Sequence, residues 1–302
     1  MKSIIAFAVA LVALGAPPAT AQKLKIVTST TDLHSIAHAI GGKRISAIAI
    51  SAGYQDPHHV EAKPSFVIKM RDADVFAFVG LDLEIGWAPL LIEGARNRRI
   101  APGGTGHVDV SKTMPVLDVA QGAVDRSQGD VHPRGNPHYW LDPGNGRRIA
   151  RLFTDKFSAL DPAGAAEYEQ NLKAFNARLD ATVRELAPFL AQIKGKPVVA
   201  WHTSWRYFAE FTGMNLVGFM EPKPGVPPSP AHLAGLIRTM KRTGAKVIIM
   251  ENFYNRKTAD LVASKTGAKV LLLPPSVGGV KEIRDYVGLI TYDVKKVAEA
   301  VQ

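Results

Sequence analysis

The stretch Asp161-Pro162-Ala163-Gly164-Ala165-Ala166-Glu167-Tyr168-Glu169-Gln170-Asn171-Leu172-Lys173-Ala174-Phe175, continuing through Leu179, Val183, Leu186, Leu190 and Ile193 to Gly195, decides how the rest of the chain is read. Its apolar residues, from Tyr168 to Ile193, recur at steps of three and four, the stripe of one amphipathic helix. Asp161 is placed to cap the first N–H groups, Pro162 sits where the first turn needs no donor, and Gly195 with Pro197 stops the helix. Residues 162–193 would span about 48 Å, far more than an ordinary crossover helix. Pro188 removes the bond to the Arg184 carbonyl, which predicts a kink there. A helix of this length is either the core of one large domain or a strut between two lobes, and the flanking sequence separates the two readings.

On each side, strands alternate with helices. Before the stretch, Leu24 to Thr28, Ile45 to Ile50 and Val75 to Val79 read as strands, with helices at Thr31 to Ala39, from Pro64, at Trp87 to Ile92 and at Asn145 to Leu160. After it, Pro197 to Trp201, Leu216 to Met220, Val247 to Met250 and Val270 to Leu273 read as strands, separated by helices and closed by a helix from Ile283 to Val301. Such alternation implies parallel sheets covered on both faces. The fold class is therefore α/β, with two lobes joined by one long rigid helix. The divisions are 1–21, 22–161, 162–194 and 195–302, the first being a signal peptide.

Met1 to Ala21 carries Lys2, an apolar run from Ile4 to Leu14 and the small-residue pattern Ala19-Thr20-Ala21. That is a cleavable secretory signal, cut after Ala21, and it points to a periplasm. The chain has no cysteine, which excludes thiolate metal sites and disulfides. Its formal net charge is +10, but no aromatic-basic stripe accompanies it, so no nucleic-acid partner is expected. Gly103-Gly104 and Gly106 do not follow a strand and open a helix, so they read as a turn and not a phosphate cradle.

Nine histidines remain to be sorted. His34 and His38 lie four apart on a helix with no third ligand nearby, His232 sits in a helix start, and His107 and His132 fall in loops, where His132 is a candidate for collecting metal although a lone loop histidine is usually solvated. His58, His138 and His202 differ. Each follows a strand or lies in a proline-braced turn, on the side where the lobes would meet, and open α/β sheets bind ligands at the carboxyl ends of their strands. Three neutral imidazoles suit zinc and leave one tetrahedral position for a carboxylate or water. Glu221 and Glu251, both just past strand ends, are within reach of that role.

Three motifs carry a family resemblance. They are Asp56-Pro57-His58-His59-Val60-Glu61-Ala62-Lys63-Pro64-Ser65, Pro137-His138-Tyr139-Trp140-Leu141-Asp142-Pro143, and His202 with the aromatics up to Phe208. In this order and on either side of the long helix, they resemble the zinc- and manganese-binding proteins of bacterial ABC importers, over nearly all of the chain beyond residue 21. The resemblance implies that His58, His138 and His202 bind the metal. The transported ion would be Zn²⁺, with Mn²⁺ the alternative. The protein would work as a monomer with a permease in the inner membrane. His59 is expected to face away. The family often places an aspartate after the last strand of the second lobe. Here Leu273-Pro274-Pro275-Ser276 stands there instead, which leaves Glu221, Glu251, Glu282, Asp285 or water as the fourth ligand. The His-rich acidic loop of zinc members is reduced to Asp125, Asp130 and His132. A surface adhesin would share the fold. A secreted zinc hydrolase is the alternative from another class, but the His-Glu-x-x-His helix it would need is absent.

Overall fold

The computed structural model of the chain describes residues 23–122 and 129–302. The signal segment and part of the Gln121 to Pro137 loop, Asp125 included, lie outside the described residues. Among the described residues are two four-stranded parallel sheets. The first holds β1 (Leu24–Thr28), β2 (Ile45–Ala49), β3 (Val75–Phe78) and β4 (His107–Asp109) in the order β2-β1-β3-β4. The second holds β5 (Pro197–Ala200), β6 (Asn215–Phe219), β7 (Val247–Met250) and β8 (Lys269–Leu272) in the order β6-β5-β7-β8. Both sheets thus have the same strand order, and in each the first strand runs between the second and the third. Every pairing is parallel, as the helical crossovers require. The edge strand β4 was not legible as a strand. It is three residues long, and it is reached through a turn so tight that a Cβ on Gly106 would lie 1.9 Å from the Asp74 carbonyl oxygen.

Side-chain alternation along the strands sorts the core into layers. Val27 and Phe76 face outward beneath α2 (Pro64–Arg71) and α3 (Ala88–Ala95), together with Met70, Trp87 and Leu91. In the second sheet Val199, Ile248 and Met250 pack beneath α8 (Pro230–Thr243) and α9 (Lys257–Thr266). The opposite faces of both sheets look onto one shared interior. That interior runs without a break from Ile26, Val75 and Ala77 through α1 (Thr31–Gly41), α4 (Pro143–Leu160) and α5 (Ala165–Glu185) to Val198, Ala200, α7 (Arg206–Thr212) and α10 (Tyr286–Ala300).

Most of the long stripe is buried as its spacing requires: Tyr168, Leu172, Phe175, Leu179, Leu186 and Ile193 are inaccessible to solvent or nearly so, while Val183 and Leu190 are half-buried. The segment is not one continuous helix, however. A 3₁₀ turn over Pro162–Gly164 leads into α5, which ends at Glu185. A second helix, α6 (Ala187–Ile193), then begins, with Pro188 in its first turn. The interruption therefore falls at Leu186 rather than at Arg184, because proline is tolerated best where a helix starts. Asp161 makes no side-chain cap either. Its carboxylate accepts two hydrogen bonds from Arg44, at 2.7 and 2.9 Å, and one from the Tyr168 hydroxyl at 2.7 Å, tying the entry of β2 to α5.

The two halves are stitched together at a polar seam. Trp140 Nε1 donates to the Pro275 carbonyl at 2.8 Å, and the Tyr286 hydroxyl donates to the Trp140 carbonyl at 2.6 Å. The backbone N–H of Tyr286 donates to Ser35 Oγ, and that of Val277 to Asp32 Oδ1, both at 2.9 Å. Gly146 is needed here, since a Cβ would sit 2.4 Å from the Tyr286 ring.

Candidate metal centre

His58 and His138 are presented by the same local device. In Asp56-Pro57-His58, Oδ1 of Asp56 accepts from both the backbone N–H (3.0 Å) and the ring Nδ1 (2.7 Å) of His58. In Asn136-Pro137-His138, Oδ1 of Asn136 does the same for His138, at 3.0 and 2.9 Å. In each case a proline of fixed φ separates the two residues, and the short side-chain oxygen two residues back closes an Asx turn that reaches both donors. The orientation of the Asn136 amide follows from its nitrogen, which donates to the Thr203 carbonyl at 2.9 Å. Trp87 Nε1 pins the Pro57 carbonyl at 3.0 Å. His202 comes straight off β5. Its Nδ1 donates to Oε2 of Glu221 at 2.7 Å, and Glu221 also receives Trp201 Nε1 and the N–H of Gly225.

All three rings thus have an oxygen acceptor on Nδ1, which places the ring proton there and leaves the Nε2 lone pair for the interior of the site. Carboxylate or carbonyl oxygens in this position are the usual companions of a metal-bound histidine. The three side chains are 2–6% exposed, and one donor atom from each lies within 4.8 Å of the others. Their ring centroids are 5.3, 5.3 and 5.2 Å apart. Around a single tetrahedral ion with Zn–N of about 2.0–2.1 Å, imidazole centroids would fall about 5.2 Å apart. His202 Nε2 is buried and has no hydrogen-bond partner among the described residues.

The electrostatics divide the three. Burial, reinforced by the neighbouring His202, His58 and His132, holds His138 well below the ordinary histidine pKa, so it is a neutral ligand in waiting. Burial also opposes a charge on His202, but the Glu221 carboxylate, with Glu251 and Asp56, outweighs it and raises its pKa. Asp56 is half-buried, which raises its pKa, yet its bonds to His58 bring it down to about 2, so it stays an ionised acceptor.

The remaining sequence candidates are dispersed. Asp285 caps α10 at the Gly288 N–H and pairs with Arg178, and Glu282 is exposed, so neither belongs to the site. Glu221 braces His202 from behind. Glu251, at the end of β7, is fully buried; its carboxylate oxygens lack partners of hydrogen-bonding geometry, Ser204 lying nearby, and burial lifts its pKa to about 7. It is not among the three converging donors. His59 turns outward, 64% exposed, toward Asp130. His34, His107 and His232 each bond a backbone carbonyl away from the site. The supports Asp56, Asn136 and Glu221 were not singled out from sequence for this role, although the repeated Asx-Pro-His pattern was there to be read.

Residues 26–300 match the family model described as ZnuA, zinc-uptake complex component A, periplasmic. The zinc-binding lipoprotein AdcA of Streptococcus pneumoniae is 26% identical over 84% of this chain and 50% of its own length. The chain spans about half the length of the curated relatives it matches first. The manganese ABC transporter substrate-binding lipoprotein PsaA of Streptococcus mitis is 25% identical, over 94% of this chain and 91% of its own. A crystal structure of ZnuA superposes with a TM-score of 0.77 at 25% identity, covering 93% of this chain and all of that one.

Proposed function

The chain belongs to the ZnuA family of zinc-uptake components, and from that premise we propose that it is the periplasmic substrate-binding protein of a metal ABC importer, with a divalent transition metal as its cargo. His58, His138 and His202 bind the ion through Nε2 where the two lobes meet, and the loaded protein, a monomer cut after Ala21, delivers it to the permease. The lobes are residues 22–161 and 195–302, linked by 162–194. One observation carries this reading: three buried imidazoles converge with each Nδ1 committed to an oxygen, so their lone pairs can be satisfied together only by a cation. Zinc stands ahead of manganese, because imidazole nitrogen favours the later metal while Mn²⁺ prefers oxygen. The family is one of metal-binding transport components, not of enzymes, and the hydrolase alternative is set aside with it.

The test is to strip the protein with a chelator, refill it with Zn²⁺ or Mn²⁺ and measure stoichiometry and competition. One zinc per chain, displaced poorly by manganese and lost in His58→Ala, is expected. No ion bound by the wild type would overturn the reading, and tighter retention of Mn²⁺ would overturn the choice of zinc.

A further inference from the structure

We propose that His132 is the fourth ligand of this centre, so that the ion is held by four imidazole nitrogens and no oxygen. The inference rests on the three-histidine reading above and goes beyond it. His132 donates its Nδ1 proton to the Leu81 carbonyl at 2.9 Å, so its lone pair, like those of the other three, is on Nε2. That Nε2 lies 3.2 Å from Nε2 of His58. Two lone-pair nitrogens at this distance repel unless a proton or a metal ion lies between them. The edge of a tetrahedron with Zn–N of about 2.0–2.1 Å is about 3.3–3.4 Å, so the spacing is that of two ligands on one ion. The His132 ring is 5.3 Å from that of His58, the same spacing as within the buried trio, and 6.2 Å from that of His138. It stands beside the trio, outside the group whose donors all lie within 4.8 Å. Closing the spacing to His138 from 6.2 Å to the about 5.2 Å of two imidazoles on one ion takes a shift on the order of 1 Å.

The backbone is shaped to hold this histidine. Gly80, Leu81 and Asp82 follow β3 with φ of +84, +52 and +66°, a left-handed turn that only its first residue enters freely. The Glu84 carboxylate receives the N–H groups of Val79 and Gly80 at 2.7 and 3.0 Å and fixes the turn. The turn offers the Leu81 carbonyl to His132 and the Asp82 carboxylate to Arg134, the latter at 2.7 Å. From the other side, the N–H of Asp130 donates to the Pro224 carbonyl at 2.8 Å. Residues 130–134 therefore cross the mouth of the site, tied to the first lobe at Leu81 and Asp82 and to the second at Pro224. The carboxylates around the centre are otherwise placed: Asp56 and Glu221 hold His58 and His202 at Nδ1, and Glu251, outside the converging group as His132 is, makes no hydrogen bond to any of the rings. An all-nitrogen set sharpens the preference for zinc over manganese.

The experiment separates a ligand from a mere strap. His132→Asn keeps a donor where Nδ1 stood, able to bond the Leu81 carbonyl, but has no atom at Nε2; His132→Ala loses both. In the full mature chain, both variants are expected to bind one zinc with affinity lowered by at least the about 10–100-fold that outer-shell changes cost, and to discriminate less against manganese. Wild-type zinc affinity in His132→Asn would overturn the proposal and leave His132 a tether. Imidazole ¹⁵N spectra of the wild type, before and after zinc, give a second readout. Shifts at the Nε2 resonances of His58, His132, His138 and His202 are expected. Shifts at three, with His132 unmoved, overturn this inference alone. No shift at any of the four overturns the three-histidine reading with it.

Discussion

Asp32→Asn is expected to stabilise the metal-free protein at alkaline pH and to do nothing comparable in acid. Asp32 lies in the first turn of α1, fully buried at the seam between the lobes. Its Oδ1 accepts the Val277 N–H, while Oδ2 has no partner among the described residues. Burial raises its pKa from 3.8 to about 7, only partly offset by Val277 and Ser276. The folded state therefore holds a proton that the unfolded chain releases, and stability falls as pH rises from about 4 to about 7. A shift of about 3 units corresponds to about 4 kcal/mol once the carboxyl is ionised in both states. Asparagine keeps the acceptor for Val277 and removes this cost, but it adds a buried N–H that costs about 1–3 kcal/mol unpaired. The variant should lie about 1–3 kcal/mol below the wild type near about pH 4 and exceed it by about 1–3 kcal/mol near about pH 8. Urea unfolding of the chelated proteins across that range measures the difference, to which the buried Asp293, whose pKa the Asp32 charge helps to raise, contributes in the same direction. A difference that does not change with pH, or a variant less stable than the wild type in alkali, would refute the argument.

Two further outcomes follow from the site and the seam. Zinc affinity should fall as pH drops, beginning above the ordinary histidine pKa of about 6.5, because His202 is held protonated longest and must lose its proton to bind, whereas His138 competes with protons only at lower pH; competition titrations at several pH values check this, and a flat profile would contradict it. Solution scattering of the metal-free and zinc-loaded forms should differ little. Wide hinge opening would expose the shared interior along α5 and α6 at about 25 cal/mol per Å² and break the Trp140 and Tyr286 bonds. A large compaction on loading would show that the lobes open as a hinge.

How much of this could be read from the chain depends on how local each cause is. The α5 stripe, the strand alternation and the Asx-Pro-His turns are set by residues within a few positions of one another, and the sequence displays them whole. The break at Leu186 is visible only as Pro188: the proline fixes that the helix is interrupted, while its fit to a helix start moves the interruption two residues beyond the carbonyl it deprives. Asp161 has a capping residue's chemistry, but Arg44, more than a hundred residues earlier, competes for the same carboxylate and prevails with two charge-assisted bonds. The same contrast runs through the metal centre. His58 and His138 carry their Nδ1 acceptors two residues upstream, so their candidacy is written locally. His202 depends on Glu221, nineteen residues on and across the β5–β6 pairing. His132 depends on the Leu81 carbonyl, fifty-one residues away, offered by a left-handed turn whose only sequence trace is Gly80. A histidine in a polar loop reads as solvated because nothing adjacent orients its ring. The chain supplies that orientation through tertiary contact, and a ligand positioned that way is the one most easily uncoupled from the site without disturbing the fold beneath it.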